Sequence, residues 1–458
     1  MWNGALVTAV LLLTVLLLLT KKASLGWIGL LIPCLLSASG ILSAKDAFAG
    51  LADKSMFVFV GAFVISEAFF KVGLAGKLSD GIGKKLEHIR NEAMILLLLC
   101  LVTAAMSAFM SSLGVQVAML SLVLALGTSL QVSRAKVMMA IGYSATIGGM
   151  MTLVGTPLNM VGKAAYEDAV PGGVMGVFEI SLIALPVGIA MILYFCLIGS
   201  RCLPDCKDQD FTGKSETGKR SENQSDCGFG DKIKYKNGTK YSIQNKNEYK
   251  PESPDPKNRR NQLITVCSFF LFLILIVLDG NTWISSSVAG ALVLLLIGGA
   301  KILTAEEMAQ SIRWDILMFI MGIQALGKGI TSAGLDMLLS EQAAILFGNG
   351  VPDRLLIGIV FLIVVTITQF LNNTGTFGVV LPFVLMLSST LHVHLKPVMI
   401  TAMVAASSSF VLPIAAPTYP MLAEEGNIRF RDWMIQGLPL VCIGLAGCVI
   451  GIPLLWPL

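Results

Sequence analysis

Thr368-Gln-Phe-Leu-Asn-Asn-Thr-Gly375 interrupts an apolar block that runs from Leu355 to His392. The same interruption stands 261 residues earlier, where Ser107-Ala-Phe-Met-Ser-Ser-Leu-Gly114 breaks the block Asn91–Leu130. Both stretches set small polar residues and a glycine in the middle of a segment otherwise built for lipid. Backbone that leaves the helix at membrane depth is tolerated only where protein or a watery cavity covers it. Each block therefore reads as a re-entrant helical hairpin with its tip inside the protein.

The spacing extends outward from the two tips. Phe57-Val-Phe-Val-Gly61 recurs as Met318-Phe-Ile-Met-Gly322, Gly73-Leu74 as Gly334-Leu335, and Ser144-Ala-Thr146 as Ala405-Ala-Ser407, all at an offset of 261. Thr156-Pro157 matches Ala416-Pro417 at 260, and Leu185-Pro186 matches Leu438-Pro439 at 253. Apolar helices resemble one another by chance, but a near-constant offset through Gly, Pro and polar positions marks a duplication. Each copy holds five spans, an odd number, so the second copy lies inverted relative to the first. Inverted copies with discontinuous helices are the architecture of secondary transporters.

Composition agrees. Of 458 residues, 55% are hydrophobic and 14% charged, against about 25% charged in soluble domains. A span takes roughly 20 predominantly apolar residues. The spans read as Trp2–Thr20, Leu25–Ser43, Ser55–Val72, the first hairpin, Lys136–Val154 and Val177–Gly199, then Gln262–Leu278, Thr282–Ala300, Asp315–Gly334, the second hairpin, Pro397–Ala416 and Trp433–Leu455. The fold class is an all-α polytopic membrane protein with a first repeat at 1–200 (hairpin about 91–130), a polar loop at 201–260, and a second, inverted repeat at 261–458 (hairpin about 354–392). No basic residue precedes the first apolar run, and Lys21 and Lys22 follow it, so Trp2–Thr20 reads as a retained span, not a secretory signal.

The basic clusters Lys21/Lys22, Lys77–Arg90, Arg134/Lys136, the polar loop, Lys301/Arg313 and Arg429/Arg431 fall on one side. That side is cytoplasmic by the distribution of Lys and Arg, which puts both termini outside a plasma or inner membrane. The loop has too few large apolar residues to order itself, and its sequons at Asn223 and Asn237 lie on the wrong side for glycosylation. Cys202, Cys206 and Cys227 lack the spacing of a zinc module.

The chemistry gathers at the breaks. A second interruption ends the span after each hairpin, at Leu153-Val-Gly-Thr-Pro157 and at Ile414-Ala-Ala-Pro417. Broken helices free carbonyls for a cation and expose N-termini whose N–H groups and dipole attract an anion. Neither tip contains Asp, Glu, Lys or Arg, which favours neutral oxygens around Na+. Glu67 and Lys328, 261 apart in equivalent helices, are the main ionisable residues within spans, with a snorkelling or helix-pairing role expected for each. The alternative is an ion exchanger or efflux permease of Na+/H+ or arsenite type, with Glu67 as its titrating group. No catalytic nucleophile–base pair is visible, so no enzyme is expected.

On these motifs the chain resembles the divalent anion/sodium symporter family, the citrate, dicarboxylate and sulfate permeases. The resemblance covers nearly all of the chain except the polar loop. It implies elevator-type alternating access by a homodimer, with Na+ as coupling ion, a small di- or tricarboxylate or sulfate-like anion as cargo, the bilayer as surroundings and no nucleic acid. Carried over residue by residue, one Na+ site falls to Ser107, Ser111, Ser112 and the Gly155 carbonyl. The other falls to Thr368, the Leu371 carbonyl, Asn372, Asn373 and the Ala415 carbonyl. Substrate would meet Ser112, Thr156 and Pro157 on one side and Asn372, Asn373, Thr374 and Pro417 on the other. The first tip departs from the family's Ser-Asn-Thr pattern as Ser111-Ser112-Leu113, the second begins with Asn372, and Ala416 stands where a Thr is usual.

Overall fold

The computed structural model describes residues 2–20, 23–52, 54–74, 89, 91–126, 132–170, 172–176, 178–203, 256–277, 286–334, 352–391, 393–416 and 418–457. The described elements are helical. In the first half they are α1 (Trp2–Thr20), α2 (Leu25–Ala38), α3 (Lys54–Lys71), α4 (Glu92–Ser107), α5 (Ser112–Leu126), α6 (Arg134–Met150), α7 (Pro157–Ala169) and α8 (Ser181–Leu197). The second half supplies α9 (Pro256–Val277), α10 (Ser286–Gly299), α11 (Ala305–Ser311), α12 (Trp314–Ser332), α13 (Asp353–Thr368), α14 (Asn373–Leu391), α15 (Leu395–Ser407), α16 (Tyr419–Glu425) and α17 (Phe430–Leu455). Most of residues 201–260, the sequons, Cys206, Cys227 and Pro417 lie outside the described residues.

Both apolar blocks break where the sequence places the break, between α4 and α5 and between α13 and α14. The spans that follow end sooner than their hydropathy indicates. α6 stops at Met150 instead of Val154, and α15 at Ser407 instead of Ala416. Gly148-Gly149 weakens the end of α6, and the chain restarts as α7 with Pro157 at its first position, where a missing N–H costs nothing. At the end of α15, Ser408 Oγ donates to the Val404 carbonyl at 2.8 Å, a back-bond of the kind by which short polar side chains compete with the helical ladder. α9 begins at Pro256, inside the stretch read as loop. The amphipathic α11 carries a capping box between Thr304 and Glu307.

The helices pack in three groups: α1, α2 and α12; α3, α9, α10 and α11; and α4 to α8 with α13 to α17, which the first group meets mainly through α12 on α14. Close backbone contacts join the halves within each of the first two groups. A Cβ on Gly29 would overlap the backbone of Met318 and Phe319, and one on Gly322 that of Gly29. Gly61 and Gly290 meet in the same way. The two contacts are exchanged by the 261-residue offset, since Gly29 corresponds to Gly290 and Gly61 to Gly322. Small residues let membrane helices approach this closely and gain packing over a long face. In the third group, α8 and α17 occupy matching places in the two halves and run antiparallel. Ile183 lies on Gly451, Val187 on Gly447, Met191 on Gly444 and Gly199 on Gln436.

Charged residues tie down the ends. Lys163 and Glu167 form a buried ion pair on α7, with side chains 10% and 6% exposed. Lys163 Nζ also donates to the Met175 carbonyl at 2.9 Å, fastening the segment after α7 back onto the helix. Lys396 reaches Glu179 at 2.9 Å and lies 5.3 Å from the centre of the Tyr166 ring. The Lys163–Glu167 pair lies between the spans Lys136–Val154 and Val177–Gly199, in a stretch to which hydropathy assigns no element. Glu67 is exposed on α3, whereas Lys328 on α12 lies 3.9 Å from Asp168 on α7.

Candidate functional site

The two hairpin tips build the same hydrogen-bond set. In the first, Ser107 Oγ donates to the Ala145 carbonyl at 2.6 Å and lies 2.8 Å from Ser112 Oγ. In the second, Thr368 Oγ1 donates to the Ala406 carbonyl at 2.7 Å and lies 3.4 Å from Asn373 Oδ1. All three residues of one set map onto the other at the 261 offset. A hydroxyl at the end of the first hairpin helix thus holds the tip against the following broken helix. The Ser111 carbonyl accepts from Val115 N–H at 3.0 Å and the Asn372 carbonyl from Thr376 N–H at 2.8 Å.

The tips differ in how they are finished. Asn372 Oδ1 accepts from Gly375 N–H at 2.6 Å, an N-terminal cap on α14 of the kind Asn side chains favour. Ser111 instead donates its backbone N–H to Ser66 Oγ on α3 at 3.4 Å. Ser111 and Asn372 are exposed, and Ser112, Leu113, Asn373 and Thr374 are half-buried, between buried residues on either side. The tips therefore keep an open face.

At the first break, Gly149 is the point around which the predicted residues collect. A Cβ there would lie 2.6 Å from Ser112 Oγ, 2.8 Å from Thr156 Cγ2 and 3.6 Å from the Gly155 carbonyl oxygen. Ser107, Ser112, Gly155 and Thr156 are thus brought together, and Pro157 opens α7 beside them. Thr368 and Asn373 are joined at the second tip. Leu371 and Ala415 are both buried, and their N–H groups close turns onto the Ile367 and Leu412 carbonyls. Thr374 lies in the first turn of α14.

Several residues that keep this irregular backbone paired were not among those singled out by sequence. Thr152 donates its hydroxyl to the Ala108 carbonyl and accepts from Gly155 N–H at 3.1 Å. Asn159 Nδ2 donates to the Thr152 carbonyl at 2.8 Å. In the second half one side chain does the equivalent work. Gln369 Nε2 donates to the Ser408 carbonyl at 3.1 Å, and its Oε1 accepts from Val411 N–H at 3.0 Å and Leu412 N–H at 3.3 Å. Gln116 links the halves, accepting the Thr418 hydroxyl and donating to the Gly142 carbonyl at 3.3 Å. The visible signal was a lone amide, Gln116 or Gln369, in an apolar run.

Buried polar atoms without a partner are rare in proteins. Five such oxygens belong to the tips and breaks or to the first helical turns that follow them: Thr156 Oγ1, Asn159 Oδ1, Thr376 Oγ1, Ser407 Oγ and Ser409 Oγ. Together with the N-termini of α5, α7 and α14, they give an interior rich in neutral oxygens and N–H dipoles. Such an interior suits small ions and supplies no nucleophile or general base.

Interrupted apolar helices around a polar, uncharged centre define a membrane transporter. The chain belongs to the divalent anion/sodium symporter family, the citrate, dicarboxylate and sulfate permeases: a citrate transporter profile matches residues 15–347 and a sodium:sulfate symporter transmembrane region matches residues 255–458. It is similar to a sodium-dependent dicarboxylate transporter of Staphylococcus saprophyticus, at 23% identity over 92% of this chain and 80% of that protein. The corresponding Staphylococcus aureus transporter is 24% identical over 95% of this chain and 83% of that one. An uncharacterized transporter of Escherichia coli, YfbS, is 21% identical over 99% of this chain and its own full length. Among solved structures, the YdaH transporter of Alcanivorax borkumensis shares the fold, with a TM-score of 0.54 at 11% identity, covering 91% of this chain and 87% of that one. The chain is a membrane transporter and not an enzyme.

Proposed function

We propose that this protein is a Na+-coupled symporter of a small carboxylate- or sulfate-type anion, built from two inverted copies and working by elevator-type alternating access as a homodimer in the cell membrane. The observation that carries the reading is the pair of matched tips. Each offers hydroxyl or amide oxygens and a half-helix N-terminus, and neither offers a charge. Na+ would sit among Ser107, Ser111, Ser112 and the Gly155 carbonyl, and among Thr368, Asn372, Asn373 and the Leu371 and Ala415 carbonyls. The anion would lie between Ser112, Thr156 and Pro157 and the residues Asn372, Asn373, Thr374 and Pro417.

Inversion is supported by the antiparallel run of α8 against α17 and by the exchange of the Gly29/Gly322 and Gly61/Gly290 contacts. A sliding mechanism is supported by an inequality between the halves. α5 meets α3 through Ser66/Ser111 and Phe70/Gly114, residue separations of 45 and 44. Its counterpart α14 meets α12 through Phe319 and Ile323 on Gly378 and Gly327 on Leu385, separations of 59, 55 and 58. The mean registers differ by about 13 residues, or ~20 Å at 1.5 Å per residue. Two equivalent interfaces in different registers are what one end of a stroke would leave.

The test is uptake of radiolabelled succinate, citrate, sulfate and butane-1-sulfonate into proteoliposomes with and without an inward Na+ gradient. Uptake of at least one anion is expected to need the gradient. Equal uptake of every transported anion in K+ and Na+ refutes the coupling. Loss of a response to pH in Glu67→Gln, with no response to Na+ in wild type, would instead install the exchanger reading.

A further inference from the structure

The two tips that would enclose the anion are unequal, and the inequality is one of polarity. Position by position, Asn372, Asn373 and Thr374 of the second tip stand opposite Ser111, Ser112 and Leu113 of the first. Two amides and a hydroxyl stand in the places of two hydroxyls and an isobutyl group. Both tips spend oxygens inside the protein, Ser107 and Ser112 in the first and Thr368, Asn372 and Asn373 in the second, so the difference lies in the two amide groups of the second tip and in Leu113. Ser107 and Ser112 lie against each other at 2.8 Å with Ser107 held to Ala145, and Thr152 is engaged on both sides. The first tip is lined further by Phe70, whose ring lies 2.7 Å from where a Gly114 Cβ would be. Both halves keep buried oxygens without partners, Thr156 Oγ1 and Asn159 Oδ1 in the first and Thr376 Oγ1, Ser407 Oγ and Ser409 Oγ in the second.

Resting on the anion-site reading above, we propose that the cargo is an organic monoanion with one charged head and a short apolar tail, its head on the Asn372–Thr374 tip and its tail against Leu113. A carboxylate or sulfonate head finds amide and backbone donors at the second tip and the N-terminus of α14. A second charged head, as in a symmetric dianion, would lie against Leu113. There it loses water without gaining donors, a cost that grows steeply for a charge. A tail of about three methylenes or methyls instead gains from leaving water. A site built to hydrogen-bond at one end only discriminates strongly against ligands whose polar groups it leaves unpaired.

Isothermal titration of the purified protein in detergent with Na+, using butyrate, butane-1-sulfonate, succinate and sulfate as probes, tests the assignment. Butyrate and butane-1-sulfonate are expected to bind at least ten-fold tighter than succinate. Leu113→Thr, and the double variant Ser112→Asn/Leu113→Thr, should narrow or reverse that ratio chiefly by improving succinate, with melting temperatures confirming that both variants fold. Succinate or sulfate binding more tightly than the monoanions in wild type overturns the proposal while leaving an anion site intact. An unchanged ratio in folded Leu113→Thr protein also overturns it. Binding of none of the four in the presence of Na+ removes both the proposal and the anion site beneath it.

Discussion

The register difference between the halves fixes a distance that cross-linking can measure. In this structure Leu385 Cδ1 lies 3.8 Å from where a Gly327 Cβ would stand, with nothing closer. The Leu385 side chain thus reaches Gly327, and a short bis-methanethiosulfonate reagent should bridge Gly327→Cys/Leu385→Cys in the state described here. The mirror state would bring α3 and α5 into the register that α12 and α14 now hold. Val58 and Val117, the counterparts of Phe319 and Gly378, would then meet. In the present register Val117 is displaced from Val58 by about 14 residues along the helices, or ~20 Å, far beyond that reagent's reach. Val58→Cys/Val117→Cys should therefore cross-link only after the stroke. With the nine native cysteines replaced, treatment with that reagent in proteoliposomes and mass spectrometry of the linked peptides read both pairs. The first pair is expected to stop transport until reduced, and the second to link only under conditions that populate the other state. If both pairs link together in one protein, or if Val58→Cys/Val117→Cys never links in a variant that transports, the sliding argument fails.

Thr368→Val removes the 2.7 Å bond to the Ala406 carbonyl, worth about 1 kcal/mol, and should raise the Na+ concentration for half-maximal uptake more than Thr366→Val on the exposed face. Glu167→Gln strands the buried Lys163 ammonium, a loss of about 3–5 kcal/mol by analogy with broken buried pairs, and should lower the detergent melting temperature far more than the joint replacement Lys163→Met/Glu167→Leu. Gly322→Leu drives a side chain into the Gly29 backbone; overpacking of this kind costs about 1–3 kcal/mol or more, and fluorescence-detected size-exclusion should show loss of monodisperse protein. Lys71, bonded to Glu307 at 2.5 and 2.6 Å, and then the Thr304 backbone, hold the Glu307 carboxyl down at about 2. Because this folded value lies below the ordinary one, its stabilisation is present above about pH 4.5 and fades toward pH 2, a window in which Glu307→Gln should show a flatter melting profile.

The tips were legible because a single rule decides them. Ser111-Ser112 and Asn372-Asn373 cannot sit in lipid, and their spacing repeats. The ends of α6 and α15 were less legible because Leu153, Val154 and Leu412 are apolar, so hydropathy continues where the backbone has already left the helix. At the end of α6, packing adds to the weakness of the Gly-Gly pair, with Gly148 pressed on the Ala104 backbone and Gly149 crowded by Ser112 and Thr156. Such contacts arise between segments dozens of residues apart, and a linear reading does not contain them. Gln116 and Gln369 are lone amides in apolar runs, a signal that does not name their partners across the fold. The Lys163–Glu167 pair lies between the spans that hydropathy marks, where charges at one-turn spacing carry no sign of burial.

The paired glycine contacts have a bearing on how the chain matures. Gly29 and Gly61 lie on helices made early in synthesis, and the backbones that fit them, at Gly322 and Gly290, are made only in the second half. A nascent chain that has completed α8 has not yet made the backbones that meet these two glycines. Closing the α2/α12 and α3/α10 contacts is therefore a late event of biogenesis, and two half-length polypeptides should yield working protein only when produced in the same membrane.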